Sequence, residues 1–273
     1  MRSQMKMAKT TGTTNDIDSK IVPVSNIPVD LKVLVYGRSG TGKTTFVGTA
    51  PKPLLLLDVR EQGTASIRQS PDTYVYPIER WDDFEAIYWY LMNNKGQVKF
   101  RSVAIDSVTQ LQELAIQKVI GSDSGGTASK RAWGEVSGLL KTWIVMFRDL
   151  PLNVIFTAQD RLTVLEEESE DDEGIIVPEV GPYLMPSVAK TLNGAVGVIG
   201  QTFIRERSVT TKTKSGKEKV KQVVEFCLRI GPHARYTTKL RRDPRLGSEG
   251  DVPAVLISPT FDQIAELSIG EEV

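Results

Sequence analysis

Residues 37–44 read Gly-Arg-Ser-Gly-Thr-Gly-Lys-Thr, inside the longer stretch KVLVYGRSGTGKTTF. This is G-x-x-x-x-G-K-[ST], placed after a strand-like apolar run and before a helix-like segment. Its glycines let successive backbone N–H groups turn inward around a phosphate. The whole run Gly37, Arg38, Ser39, Gly40, Thr41, Gly42, Lys43, Thr44 and Thr45 is the expected cradle. Lys43 would reach the β- and γ-phosphates, and the Thr44 hydroxyl would ligate Mg²⁺. ATP and Mg²⁺ are therefore the expected cofactors.

A second acid is needed to hold the metal shell. Asp106 ends the apolar run SVAID, where a carboxylate is costly unless it faces a crevice and has a partner. A metal-shell role opposite Thr44, direct or through water, meets both conditions. Hydrolysis also needs a group that orients and deprotonates water. Ser107 follows Asp106, so no glutamate stands there. Glu61 follows the run LLLLD at the strand edge where sheet ligands collect, and is the expected catalytic base. Gln159 ends NVIFTAQ and reads as a γ-phosphate sensor or as a strand cap.

These groups need a scaffold that brings several strand ends together. From Leu31 the chain alternates strand-like and helix-like segments, which predicts an α/β fold with a mainly parallel sheet sandwiched by helices. KVLVYG, PLLLLDV, TYVYPI, FRSVAIDS and NVIFTAQ are the expected strands. WDDFEAIYWYLM places Phe84, Ile87, Tyr88 and Leu91 at helical spacing. A further helix carries Val108, Leu111 and Ala115, and a longer one Trp133, Val136, Leu140, Trp143 and Phe147 in register.

Beyond Asp160 the pattern changes. The acidic run EEESEDDE at 166–173 reads as a hairpin tip or surface loop, and GPYLMPSVAKTLNGAV as a short helix. Two β-rich runs flank TKTKSGK, where Ser215-Gly216 suits a hairpin turn. ISPTFDQIAEL closes the chain with a capped helix. The expected division is a disordered tail at 1–20, an extended arm or edge strand at 21–30, an ATPase core at 31–200, and a C-terminal β-hairpin with closing helix at 201–273.

Composition narrows the function classes. Thirty-four basic and 34 acidic residues cancel, so a polyanion site must be a local patch. One cysteine and one histidine in 273 residues exclude a disulfide framework and argue against zinc. Cys227, within VVEFCLRI, reads as a buried strand residue, and His233 as a turn residue. The N-terminus lacks an apolar leader and no run approaches a membrane span. A cytoplasmic location follows as the expectation.

The ordered set GRSGTGKT, the acidic turn after LLLLD, VAIDS, KRAWGEVSGLL and VIFTAQD resembles that of the RecA-like recombination ATPases. It is most similar to the phage-encoded RecA-core group that includes the Sak-type single-strand annealing proteins. A C-terminal hairpin and YTTKLR add to the likeness, which spans about residues 31–245. It implies Lys43 and Thr44 on nucleotide and metal, Asp106 beside them, Glu61 as catalytic and Gln159 as sensor. It also implies a homo-oligomer, ring or filament, acting on single-stranded DNA, with a single-strand-binding protein as a further partner and the host cytoplasm as location. DNA-facing loops would fall at about 121–131 and 160–183. Two departures stand out: Arg60 adds a residue between the strand-end Asp58 and Glu61, and the second loop is strongly acidic.

Residues 205–222 hold seven Lys or Arg against two acids, including Lys212, Lys214, Lys217 and Lys219. RYTTKLRRDPR adds Arg235, Lys239 and Arg241 around Tyr236. Basic residues with an aromatic between them suit single strands. A solvated hairpin tip is the plain alternative for Lys212–Lys221. For Lys239 and Arg241 the resemblance to RecA-like assemblies implies another, a contact made in trans to a neighbour's γ-phosphate. Two other functions fit the same P-loop: a DNA-annealing or loading module with little hydrolysis, and a small-molecule kinase.

Overall fold

The computed structural model describes residues 20–27, 29–93, 99–121, 129–167, 175–212, 218–247 and 252–270. The chain divides into two compact units, residues 1–30 and 31–273. The described part of the first contains a single 3₁₀ turn, Val24–Asn26, and no strand. Among the described residues of 21–30, expected as an extended arm or edge strand, no strand forms: Pro23 fixes the turn's entry and lacks the N–H that a ladder needs.

The second unit is built on one nine-stranded sheet. Five parallel strands form its centre and one flank: β1 (Lys32–Tyr36), β2 (Leu54–Asp58), β3 (Thr73–Pro77), β4 (Ser102–Asp106) and β5 (Asn153–Ala158). β8 (Val198–Lys212) continues the sheet parallel to β1, and β9 (Glu218–Arg229) returns antiparallel along β8. The order is β11-β9-β8-β1-β5-β4-β2-β3, with β11 being Val255–Ile257 and the two-residue β10 (Lys239–Leu240) also on β8. A separate hairpin joins β6 (Asp160–Glu167) to β7 (Ile175–Pro182). The fold is thus the expected mainly parallel α/β sandwich with antiparallel C-terminal strands.

The boundary expected between 200 and 201 cuts through β8. Val33–Tyr36 of β1 pair with Val198–Gln201, so the hairpin strand is itself part of the core sheet. The DNA-facing loop that the resemblance placed at 160–183 falls on the β6–β7 ladder, with residues 168–174 outside the described residues; the other, at about 121–131, has residues 122–128 outside them. Ser215 and Gly216 also lie outside them, although Lys212 pairs with Glu218 across the hairpin.

Alternation along the central strands sends residues to two cores. Leu34, Tyr36, Ile105 and Phe156 face α2 (Trp81–Asn93), α3 (Val108–Ile120), α4 (Lys130–Arg148) and α5 (Pro186–Ala195). Phe84 of α2 stacks on Phe147 of α4 with ring centroids 4.5 Å apart. Val33, Val35, Leu56 and Ile155 face α1 (Lys43–Val47) and α6 (Phe261–Ile269). Trp133 departs from its expected register: it lies one turn before Val136 near the start of α4 and is 41% exposed.

Local sequence sets the helix starts. Ser107 and Ser129 cap α3 and α4 through their hydroxyls, and Thr260 with Gln263 forms a capping box on α6. Pro186 opens α5, where its missing N–H costs nothing. Among the described residues no helix is long and apolar enough to cross a membrane.

Candidate nucleotide site

Parallel register aligns four strand ends on one edge. Tyr36 pairs with Ala158, and Asp58 with Asp106. The loops leaving β1, β2, β4 and β5 therefore converge there, where ligands bind in open α/β sheets. The expected site residues arrive on four different strands, and the structure brings them together.

The loop from Gly37 to Gly42 leaves β1 and closes on α1. Gly40 and Gly42 have φ of 79° and 90°, a backbone that β-carbons resist. Arg38, Ser39, Gly40 and Thr45 are exposed, while Thr41 is buried and hydrogen-bonded to Arg38 O and to Thr202 Oγ1 of β8, each at 2.7 Å. Lys43 folds back into the loop: its amine donates to Gly37 O and Arg38 O at 2.8 Å and approaches Gln159 Oε1 at 3.5 Å. Burial lowers the Lys43 amine below the usual lysine range, opposed by the carboxylates of Asp106, Glu61 and Asp160.

Asp106 is 3% exposed and held at both oxygens. Thr44 donates to Oδ2 at 2.7 Å, and Thr157 of β5 donates to Oδ1. Burial holds its carboxyl above the ordinary aspartate range, against those two hydrogen bonds. Thr157 has no motif of its own. Its position at the end of the strand beside β4 is the one signal that would have found it.

Glu61 is turned into the same crevice by a tight backbone. Arg60 and Gln62, on either side of it, have φ of 57° and 53°. Non-glycine residues adopt this region at a cost, and it concentrates at functional sites. Asp58 Oδ1 anchors the turn by accepting from Glu61 N at 3.0 Å and Gln62 N at 3.1 Å. The extra residue, Arg60, reaches away and donates to Glu79 O and to Gln117 Oε1. Ser107 Oγ donates to Glu61 Oε1 at 2.5 Å, and Gln159 Nε2 lies 3.5 Å from the same oxygen. The Gln159 amide thus stands between the Lys43 amine and the Glu61 carboxylate.

Together these groups line a crevice of about 350 Å³ that also includes Gly63, Ser66 and Phe226. Its donors suit a hard cation with phosphates. Thr44 and Asp106 offer oxygen only, and Mg²⁺ keeps several waters while taking few protein ligands. Room is kept for it: a β-carbon on Gly63 would lie 3.0 Å from Thr44 Oγ1 and 3.6 Å from Asp106 Oδ2. Among the described residues no group of three His, Cys, Asp or Glu could hold a metal ion.

The remaining basic residues are less uniform. Arg205 and Arg207 both pair with Glu225 across the hairpin, at 2.6 and 3.3 Å. Lys212 and Lys219 lie in the ladder's far end, and Lys214 and Lys217 fall outside the described residues. Arg235 is exposed, while the Tyr236 ring is covered by the Arg229 guanidinium, 4.1 Å from its centroid. Arg241 is exposed too. Lys239 is engaged: its amine donates to Asn193 O and Val196 O at 2.7 Å, closing the C-terminal end of α5. Cys227 is buried in β9, as expected.

A phosphate loop, a buried metal-shell aspartate and a separate-strand glutamate on one parallel-sheet edge define a P-loop ATPase domain. The AAA domain family model matches residues 30–242, and the chain belongs to that family. Among solved structures it is similar to a prototypical ATPase from the type III secretion system of pathogenic bacteria. That likeness has 14% identity and a TM-score of 0.40, over 63% of this chain and 52% of the other, so this chain matches about half of that ATPase. No curated protein matches the sequence.

Proposed function

We propose that this P-loop ATPase hydrolyses ATP with Mg²⁺ and uses the γ-phosphate as a switch for its grip on single-stranded DNA. The setting would be phage-type recombination or annealing, with several copies of the chain acting together. Thr44 and Asp106 would hold Mg²⁺, which supplies charge neutralisation on the phosphates. Lys43 binds the phosphates, Glu61 takes a proton from the attacking water, and Gln159 reports the γ-phosphate.

The observation that carries the reading is the double attachment of Gln159. Its side chain lies between Lys43 and Glu61, while its backbone belongs to the base of the β6–β7 hairpin. Gln159 N donates to Thr109 Oγ1 at 3.0 Å, Gln159 O accepts from Tyr183 N at 2.7 Å, and Thr109 Oγ1 donates to Tyr183 O at 3.3 Å. Arg161 lies over the Tyr183 ring, and Val180 of β7 bridges to Tyr236. A shift of the Gln159 amide toward a phosphate would pull on a surface that carries Arg161, Tyr183 and Arg235. Those are the residue types that hold single strands.

Steady-state ATP hydrolysis with and without a single-stranded oligonucleotide, beside Lys43→Ala, tests this. The expected result is a several-fold rise with DNA and no turnover in the variant. A flat rate with DNA rejects the coupling. The second reading is a DNA-annealing module that binds ATP with little hydrolysis. In that case Glu61→Gln and the wild type would turn over at the same low rate.

A further inference from the structure

Beside the phosphate crevice lies a second, more enclosed cavity of about 250 Å³. It shares Gly42, Thr45 and Phe226 with the first, so the two adjoin at the end of the phosphate loop. Its further walls are Phe46 and Thr49 of α1 and its following turn, and Ser258–Thr260 before α6. The Phe226 ring stands 3.3 Å from where a β-carbon of Gly42 would be, and it is 44% exposed. Among the described residues that ring meets no other aromatic side chain. The ring is thus an apolar face open at the mouth of this cavity, available to a flat ligand.

The polar groups of this cavity are mostly spent. Thr41 and Thr202 bond each other, and Thr202 also donates to Tyr36 O. Thr49 Oγ1 donates to Phe46 O and accepts from Phe261 N. Thr260 is occupied in the capping box of α6. Among the described residues, the Thr45 and Ser258 hydroxyls alone of those in the lining are left without a partner inside the chain. A flat apolar ligand joined to a phosphate chain fits this arrangement; a second charged group does not.

Resting on the reading of the first crevice as a nucleotide site, we infer that this cavity takes the nucleobase, and that Phe226 of β9 stacks on it. The base is then held by ring area rather than by side-chain hydrogen bonds to its edge, so adenine and guanine are accepted alike. A hydrogen-bonded edge is what gives large discrimination between similar ligands, and here the side chains offer two hydroxyls. Stacking of a base on an aromatic ring contributes about 1–3 kcal/mol, roughly 5- to 150-fold in affinity.

The test is equilibrium binding of ATP, GTP and inorganic tripolyphosphate, each with Mg²⁺, to the full chain and to Phe226→Ala, Phe226→Leu and Phe226→Trp. Phe226→Leu keeps an apolar cover on Gly42 and removes the flat ring. The expected result is that ATP and GTP bind the wild type within about fivefold of each other and both far more tightly than tripolyphosphate. Phe226→Ala and Phe226→Leu lose about tenfold or more for both nucleotides and little for tripolyphosphate, while Phe226→Trp retains binding. Unchanged ATP affinity in Phe226→Leu overturns the inference, as does ATP binding the wild type no better than tripolyphosphate. A tenfold or larger preference for ATP over GTP overturns the claim of a shared slot. If the wild type binds neither ATP nor tripolyphosphate, the nucleotide reading itself fails, and this inference with it.

Discussion

Ser107 Oγ donates to Glu61 Oε1 at 2.5 Å and accepts from Gln110 N at 3.4 Å. One hydroxyl therefore caps α3 and positions the carboxylate carried by the turn after β2. Ser107 directly follows Asp106, through a cis peptide. The residue that stands directly after Asp106, where no glutamate is found, is thus the one that holds the glutamate arriving from the neighbouring strand.

Ser107→Ala should separate these two duties. Losing the hydrogen bond frees Glu61 to leave its productive position, and one charge-assisted hydrogen bond is worth about 1.5–3 kcal/mol. The expected result is a fall in kcat of about tenfold or more with KM for ATP within twofold, and recovery of most of the rate in Ser107→Thr. Glu61→Gln should fall by about a hundredfold or more and still bind nucleotide. A raised KM with an unchanged kcat in Ser107→Ala would leave the hydroxyl with the helix cap alone.

Burial makes the Asp106 carboxylate a cost to stability. Burial raises its carboxyl above the unfolded value in spite of Thr157 and Thr44. A raised folded pKa means that its contribution is fully present below the ordinary aspartate range and is lost as pH rises through the folded value. Above its folded value the chain without nucleotide carries the cost of an ionised buried group. Asp106→Asn should therefore raise Tm without nucleotide by about 2–4 °C, the shift given by roughly 1 kcal/mol in a domain of this size. The gap between variant and wild type should widen as pH rises from the ordinary aspartate range through the raised folded value, and Mg²⁺-dependent nucleotide binding should disappear. A gap that shrinks with rising pH contradicts this account of Asp106.

Lys239 gives the opposite pattern. Burial, then the charge of Arg241, lowers its amine below the usual lysine range, yet two α5 carbonyls accept from it. Lys239→Ala leaves Asn193 O and Val196 O short of a donor at the helix end, at a cost of about 1–3 kcal/mol. The expected outcome is a drop in Tm of about 2–12 °C with ATPase per folded molecule nearly unchanged. A tenfold loss of ATPase at unchanged Tm would instead support the contact in trans to a neighbour's γ-phosphate.

Groups set by local pattern were legible in the sequence, and groups set by strand pairing were not. The loop from Gly37 to Thr44 declares itself because its glycines, lysine and hydroxyl must be contiguous. Asp106, Glu61 and Gln159 were legible because each stands at or just beyond an apolar run, and the parallel register brings those ends together. Thr157 escaped because its role depends on β5 lying beside β4, and Phe226 because its ring reaches Gly42 only through the β9–β8–β1 pairing. The basic side chains of 205–222 read as one patch in sequence, but Glu225 from the opposite strand takes two of them. Trp133 fits the helical period and is still exposed, in the first turn of α4.

Gly63 offers the sharpest test of where Mg²⁺ sits. It opens the 3₁₀ turn that follows Glu61, and its missing β-carbon leaves the space beside Thr44 and Asp106 open. An alanine there would place a methyl group 3.0 Å from Thr44 Oγ1, so the hydroxyl must give way by a few tenths of an ångström. Mg²⁺ demands near-ideal octahedral geometry at about 2.0–2.1 Å and tolerates such a shift poorly. Gly63→Ala should raise the Mg²⁺ concentration needed for half-maximal ATP binding by about tenfold, while binding without Mg²⁺ changes little. Gly138→Ala is the control: a β-carbon there meets nothing within 4 Å, and alanine should stabilise α4 by about 0.5–1 kcal/mol. If Gly63→Ala weakens binding equally with and without Mg²⁺, the methyl group blocks the phosphates rather than the metal. The metal would then have to be placed elsewhere in the crevice.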